Sequence, residues 1–315
     1  MEKKVDVLIN VLAKPMQTAL SLLSLLRHSG QWIDRIWFVH DNAKGAEGTI
    51  PQFVLGMLPD VVVHEPDDWH WIRHADFSRM DDASYRHSLR YQYGWEHTDK
   101  DWVLVVHNDI HVTGDVVGLL LEGIGDGVAA GDVGMCWVCP AHHHGLCGPE
   151  RYLEYRPSLK EFLAIAGDPK GKTVLTDVVN YMVCPELRRR PWPLPACRVN
   201  EWCALVNMAE ARPLTMPHGE VRPFGAYVFD GVIKEPEEDR ELKEFVDHLG
   251  VVYDIGVAWF RDMHHLGRTC THVDLSGVLE HWWGVKTRYD DELYIRKERR
   301  ARRILEEEHK LVFSR

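Results

Sequence analysis

The first hundred residues alternate short apolar runs with helical segments, and this alternation constrains the fold more than any other feature. Apolar runs at 5–12, 35–40, 61–63 and 102–106 each end in polar residues, and helical patterns lie between them at 18–27, 51–58 and 83–97. Strands that are separated by helices form parallel sheets, which bind ligands at the carboxyl ends of their strands. The sequence therefore predicts an α/β fold, with a mixed, mostly parallel sheet flanked by helices.

The alternation becomes irregular in the second part of the chain. We expect helices at 116–124 and 237–249, a strand at 133–138, an extended segment at 251–260 and a charged helix at 290–309. We interpret residues 1–275 as one domain, with an α/β half at 1–112 and a mixed half at 113–275. Residues 276–315 would form a C-terminal helical extension.

The composition excludes a disordered chain, a collagen-like repeat and a small disulfide-rich protein. Of the 315 residues, 45% are hydrophobic and 27% are charged, which suits a folded chain with a large core. The 37 basic and 48 acidic residues give a net charge of −11, which disfavours a general nucleic-acid binder. The sequence has no membrane-spanning run and no signal-peptide pattern, so we expect a soluble cytoplasmic protein whose seven cysteines are free. The twelve tryptophans suit a large core or a stacking cleft.

The strongest chemical signal directly follows the apolar run at 102–106. Residues 107–111 read His-Asn-Asp-Ile-His, so that Asp109 is flanked by imidazoles. Carboxylates and imidazoles at the end of a strand can bind a divalent cation, and such a cation can hold a diphosphate. The plainer alternative is that Asp109 only caps a turn. Glycine-rich phosphate loops and the G-x-S-x-G elbow are missing from the sequence, which disfavours dehydrogenases, kinases and hydrolases.

Residues 102–121, WVLVVHNDIHVTGDVVGLLL, resemble the apolar strand, acidic metal motif and following helix of GT-A glycosyltransferases of family 2. The resemblance implies a GT-A fold and a nucleotide-sugar donor, most simply a UDP-sugar. It assigns residues 1–112 to nucleotide-sugar binding and residues 113–275 to the acceptor. It places Mn²⁺ or Mg²⁺ on Asp109, and an alternative D-x-H register makes His111 a second metal ligand. Asp41, in the pair Asp41-Asn42, is similar to the family's aspartate that contacts the nucleobase. Three further residues are assigned to the donor by the same resemblance: Leu12, Arg90 and Asn108.

Two downstream segments extend the resemblance. Residues 237–250, EEDRELKEFVDHLG, are similar to a family helix whose aspartate deprotonates the acceptor hydroxyl. The resemblance therefore implies that Asp239 is the general base of an inverting reaction, with Glu238 beside it in the catalytic site. A solvated acidic first turn is the plainer alternative for this segment. Further on, His264, with His265 as the near alternative, stands where family members often carry a histidine that completes the metal site or contacts the diphosphate.

Two other clusters leave alternatives open. Cys136, Cys139 and Cys147, with the histidines at 142–144, could supply a zinc site or could be core thiols and loop residues. The run at 296–303 carries a local charge of +5, and arginines at 188–190 could add to it. This charge is either neutralised by the following glutamates or binds an anionic acceptor such as a nucleic acid. A nucleotidyltransferase and an inactive GT-A binding module are the alternatives to a glycosyltransferase.

Overall fold

The structure is a computed structural model that describes residues 4–40, 52–58, 60–67, 74–166, 189–190, 192–229, 252–282 and 290–313. Its strands are β1 (Val5–Val11), β2 (Ile33–His40), β3 (Val61–His64), β4 (Trp102–Val106), β5 (Ile110–Val112), β6 (Ala129–Val133), β7 (Val199–Asn207), β8 (Val228–Phe229), β9 (Val252–Tyr253), β10 (Cys270–His272) and β11 (Leu279–His281). Its helices are α1 (Pro15–Ser29), α2 (Gln52–Leu55), α3 (Ala83–His87), α4 (Gln92–His97), α5 (Val116–Gly123), α6 (Pro140–His143), α7 (Leu159–Ala166), α8 (Met208–Ala211), α9 (Val257–His265) and α10 (Asp291–Glu308).

A seven-stranded sheet in the order β10-β6-β7-β4-β1-β2-β3 forms the centre of the molecule. Its neighbouring strands pair in parallel except at β7, which is antiparallel to both β4 and β6. Two small antiparallel sheets pair β5 with β11 and β8 with β9. The structure thus confirms the predicted α/β fold class, a mixed and mostly parallel sheet flanked by helices with a helix at the C-terminal end.

The sheet separates two hydrophobic cores. Along β4, Val103 and Val105 belong to one core, whereas Leu104 and Val106 belong to the other. This alternation follows from the two-residue period of a strand, and it explains why a strand buried on both faces reads as a continuous apolar run. The helix α10 joins the second core through Leu305, which is fully buried.

Three predicted elements differ from the structure. The predicted helix at 83–97 divides into α3 and α4, because Tyr91 has a left-handed φ of 62° and donates its backbone N–H to Asn10 on β1. The predicted strand at 133–138 was wrong, since β6 ends at Val133 and Gly134 turns the chain with a φ of 85°. The extended segment predicted at 251–260 is a strand only at β9, and α9 begins at Val257.

The C-terminal helix α10 is attached to the beginning of α1. The carboxylate of Glu298 accepts hydrogen bonds from the backbone N–H groups of Met16 and Gln17, and it therefore caps α1 from outside. Arg300 pairs with Glu280 on β11 at 2.8 Å. None of the helices in the described ranges combines the length and apolar character that crossing a bilayer requires. The division at residue 276 remains a prediction, although β11, which lies beyond it, pairs with β5.

Gly94 allows α4 to lie directly against the sheet. A Cβ atom at this position would come within 2.5 Å of a Leu8 methyl and 2.7 Å of the Trp37 Cβ. We expect Gly94→Ala to destabilise the protein by about 1–3 kcal/mol, because overpacking outweighs the better helix propensity of alanine. Thermal denaturation would measure the effect. Gly277→Ala is the matched control, since a Cβ there meets no atom within 4 Å, and an equal change in both variants would contradict the packing argument.

Candidate metal centre

Three possible metal ligands converge at the carboxyl end of β4. His107 directly follows β4, Asp109 directly precedes β5 and His281 is the last residue of β11. One ligand atom from each lies within 4.8 Å of the other two. Among the described residues, this is the one group of three or more histidine, cysteine or acidic side chains that meets this distance.

Strand pairing brings His281 to the other two residues. The strand β11 runs antiparallel to β5, and this register places His281 opposite Ile110. The Trp282 backbone N–H donates to the Asp109 carbonyl at 2.9 Å, which extends the pairing by one residue. Sequence analysis did not single out His281, because its role depends on this long-range pairing and no local motif surrounds it.

Asp109 is a buried anion with cationic and imidazole neighbours on several sides. Its Oδ2 accepts a hydrogen bond from Lys14 Nζ at 3.0 Å, and its side chain is 3% exposed. Its Oδ1 lies 3.4 Å from Nε2 of His281 and 3.7 Å from Nδ1 of His107. Burial alone would raise the pKa of Asp109, but Lys14 and the two imidazoles hold it well below its usual value. The carboxylate is therefore ionised at neutral pH.

A second carboxylate lies behind His107. Glu201 on β7 places Oε1 3.6 Å from Nε2 of His107, on the opposite side of the imidazole from Asp109. Its other oxygen, Oε2, pairs with Arg198 at 3.0 Å, and Arg198 in turn reaches Asp254 at 3.2 Å. Burial lowers the pKa of His107, but Asp109 and Glu201 outweigh it and raise the net value. A carboxylate behind a metal-binding histidine fixes the orientation of the ring.

The loop after β1 aims Lys14 at Asp109. Ala13 and Lys14 both adopt left-handed backbone angles, with φ of 54° and 57°, which costs roughly 1 kcal/mol or more per non-glycine residue. Thr18 donates to the Lys14 carbonyl from its backbone N–H and from its hydroxyl, each at 2.8 Å. Asn108 donates to the Ala13 carbonyl at 3.3 Å and to the Thr18 hydroxyl at 3.1 Å. The predicted donor residue Asn108 thus holds this strained loop against the end of β4.

The residues present fit a divalent cation. Two imidazole nitrogens and one carboxylate oxygen form a mixed donor set, and Asp109 Oδ1 is buried with no hydrogen-bond partner within the described ranges. Ligand atoms that share one ion at about 2.1 Å lie about 3 Å apart in an octahedral arrangement. The two distances from Asp109 Oδ1, 3.4 and 3.7 Å, are close to this value, and all three ligand atoms lie within 4.8 Å of one another. The nitrogen ligands favour transition metals such as Mn²⁺ over Mg²⁺.

The other predicted metal ligands lie outside this group. His111 on β5 is buried, and its ring contacts Trp282 with centroids 6.3 Å apart. His264 lies on α9, where burial lowers its pKa and the nearby arginines Arg156 and Arg261 lower it further. Their assignment as metal ligands remains a prediction from the sequence.

The remaining predicted site residues divide into two sets. Leu12 directly follows β1, and Arg90 forms a β-bridge with Gly225. Both are half-buried, and the hydrogen bond from Tyr91 to Asn10 holds Arg90 close to the end of β1. The second set lies outside the described residues: Asp41, Glu238 and Asp239.

The cysteine-rich loop does not form a comparable group. Cys136, Cys139 and Cys147 are not in disulfide bonds, and burial raises the pKa of Cys136 to about 12. His142 and His143 contact backbone carbonyl oxygens, those of Cys147 and Trp137. These described residues therefore match the alternative of thiols and loop histidines more closely than a zinc site.

No protein-family model matches the chain, and no curated protein matches it. Among solved structures, mouse xyloside xylosyltransferase 1 in its apo form is 13% identical, with 87% of this chain and 86% of that chain covered and a TM-score of 0.39. Core-mannan synthase A from Aspergillus fumigatus, with Mn and GDP, is 11% identical, with 89% and 75% covered and a TM-score of 0.39. A mannosyltransferase from Pyrobaculum calidifontis, with GDP-Man and Mn²⁺, is 10% identical, with 68% and 46% covered and a TM-score of 0.34. At these TM-scores, the likenesses assign neither a family nor an activity to this chain.

Replacing one histidine at a time would show whether His281 or His264 is the third metal ligand. We expect His281→Ala to weaken Mn²⁺ binding at least about tenfold, because one nitrogen ligand is lost. His264→Ala is the matched control and should bind Mn²⁺ like the unmodified protein. Isothermal titration calorimetry with Mn²⁺ would measure both affinities. The reverse result would place the metal at His264, as the sequence resemblance implies.

Substitution of Glu201 tests whether the carboxylate behind His107 supports metal binding. We expect Glu201→Gln to weaken Mn²⁺ binding about tenfold, because the carboxylate no longer orients His107. Asp254→Asn removes a carboxylate from the same chain of charges without contacting His107, so it should leave the affinity unchanged. Mn²⁺ titration monitored by electron paramagnetic resonance would compare them. Equal losses in both variants would show that overall charge, and not ring orientation, sets the affinity.

Proposed function

We propose that this protein is a metal-dependent glycosyltransferase that transfers a sugar from a nucleotide-sugar donor to an acceptor hydroxyl. One observation carries the proposal: Asp109, His107 and His281 converge at the carboxyl end of β4, beside Lys14 at the end of β1. This is the edge at which parallel α/β sheets bind nucleotides. The resemblance of residues 102–121 to the GT-A metal motif supports the same function.

The donor would extend from this centre towards β2. The strands β4, β1 and β2 are neighbours in the sheet, so their carboxyl ends form one continuous edge. Asp41 directly follows β2, and Leu12 follows β1. We therefore assign the nucleoside to the ends of β1 and β2, with Asp41 at the base and with Leu12 and Arg90 beside it.

Charge at the centre suits a diphosphate. Asp109, His107 and His281 would hold Mn²⁺ or Mg²⁺, which when bound neutralises the diphosphate of the donor and favours its departure as a leaving group. Lys14 supplies a second positive charge, and its long side chain can turn from Asp109 to a phosphate oxygen. The low pKa of Asp109 keeps the carboxylate available to a cation at neutral pH.

The finer details rest on the sequence resemblance. We propose a single in-line displacement with inversion at the anomeric carbon, in which Asp239 accepts the proton of the acceptor hydroxyl and Glu238 lies beside it. A UDP-sugar is the proposed donor, and the proposed location is the cytoplasm. For the acceptor we propose a carbohydrate or another hydroxyl-bearing molecule.

A nucleic-acid acceptor is the second possibility for the same reaction. Part of the basic charge on α10 is paired, since Arg300 contacts Glu280 at 2.8 Å and Arg302 contacts Glu306 at 3.0 Å. Arg296, Arg299 and Arg303 are exposed on the same helix. We favour a carbohydrate acceptor, because the pairing removes part of the local charge that a phosphate backbone needs.

A thermal-shift panel tests the proposal. Nucleoside diphosphates and nucleotide sugars would be compared with and without Mn²⁺, because a ligand that binds only the folded state raises the melting temperature. We expect one nucleoside diphosphate to stabilise the protein in the presence of Mn²⁺, and this shift to disappear in Asp109→Ala. Release of the nucleoside diphosphate from a sugar donor supports a glycosyltransferase. Release of pyrophosphate from a nucleoside triphosphate would indicate a nucleotidyltransferase, and the absence of turnover and binding would leave an inactive module.

Asp239→Asn tests the proposed base. We expect transfer to fall at least about a hundredfold, because general-base catalysis contributes roughly 10²–10⁴ to a rate. The Mn²⁺-dependent thermal shift with the nucleotide should remain, since this residue is assigned to the acceptor. Transfer at the unmodified rate would remove Asp239 from the mechanism.

A further inference from the structure

Trp137 is an exposed tryptophan close to the metal centre. Its side chain is 41% exposed, whereas Trp95 and Trp259 are buried in the core. Its ring lies against that of Trp202, with centroids 5.6 Å apart and planes tilted by 31°. Trp202 in turn lies against His281, with centroids 4.7 Å apart and planes tilted by 32°. The exposed indole is thus two ring contacts from a proposed metal ligand.

The backbone on both sides of Trp137 is fixed. Its carbonyl contacts Nε2 of His143 at 3.0 Å, and the Cys139 N–H closes the turn on the Cys136 carbonyl at 3.1 Å. Trp202, beneath it, is 7% exposed and accepts the His107 N–H at its own carbonyl. The indole therefore lies on a hydrogen-bonded turn with a buried ring against it, which limits the side-chain entropy that is lost when a ligand covers it.

Sheet order places Trp137 on the far side of the centre from the proposed nucleoside. The metal ligands lie at the end of β4, and β1 and β2 continue to one side. Trp202 lies on β7 and Trp137 follows β6, and these two strands continue to the other side. A donor whose nucleoside lies at β1 and β2 would direct its sugar and the acceptor towards this second side.

We propose that Trp137, supported by Trp202, is a stacking platform for a pyranose ring of the acceptor. This assignment rests on the proposed function. The apolar C–H face of a pyranose covers an indole while its hydroxyl groups remain in water. The tilted pair Trp137–Trp202 carries no charged group, so it suits a neutral sugar face better than a phosphate. Its position beside the metal centre would hold one acceptor hydroxyl near the anomeric carbon of the donor.

The test uses the full chain with Mn²⁺ and uridine diphosphate or guanosine diphosphate, whichever gives a thermal shift. Methyl glucopyranoside, galactopyranoside, mannopyranoside and xylopyranoside would serve as probes in saturation-transfer NMR titrations. We expect at least one of them to bind, and Trp137→Ala to weaken its binding about tenfold. Trp137→Phe, which retains an aromatic face, should restore most of the affinity. Leu146→Ala is the matched control, because it removes another exposed apolar side chain from the same loop region.

The outcomes distinguish a failure of the stacking platform from a failure of the proposed function. Equal sugar affinity in Trp137→Ala and the unmodified protein would overturn the platform, and so would the absence of binding by all four glycosides. A loss of nucleotide affinity in Trp137→Ala, with sugar binding intact, would assign the ring to the nucleobase and also overturn it. The Mn²⁺-dependent nucleotide shift of the unmodified protein would stand in all three cases. Its absence would count against the proposed function itself.

Discussion

The site depends on one buried carboxylate. Asp109 is 3% exposed and is surrounded by Lys14, His107 and His281, so its charge is balanced within the protein instead of by water. A buried anion without such partners is strongly destabilising. The fold therefore has to bring Lys14, His107 and His281 to Asp109 whenever it buries this carboxylate. The loop after β1, the end of β4 and the strand β11 meet at this point, and the carboxylate connects them.

The parts of the site that sequence analysis found are local. Asp109 could be singled out because it lies three residues after an apolar run, and the fold class could be predicted because strands and helices alternate over the first hundred residues. In each case, the informative residues are neighbours in the sequence.

The parts that were missed are formed by distant pairings. His281 reaches Asp109 because β11 pairs with β5, and Glu201 reaches His107 because β7 runs antiparallel beside β4. The reversal of β7 matters here, since it brings the first half of that strand to the edge where its neighbours end. Neither the pairing of β11 with β5 nor that of β7 with β4 leaves a periodic signal in the sequence.

The apolar run at 133–138 predicts one strand, but Gly134 ends the strand and allows the turn that carries Trp137.

The attachment of α10 to the start of α1 has a consequence for how the protein reaches its native state. Glu298 and Tyr294 contact the segment at residues 14–17, so the start of α1 is capped by residues about 280 positions later in the sequence. His281 likewise joins residues that precede it by more than 170 positions. Contacts between such distant residues form late and slow the folding of a chain. The group of His107, Asp109 and His281 is therefore complete only once β11 has paired with β5, which places its formation late in folding.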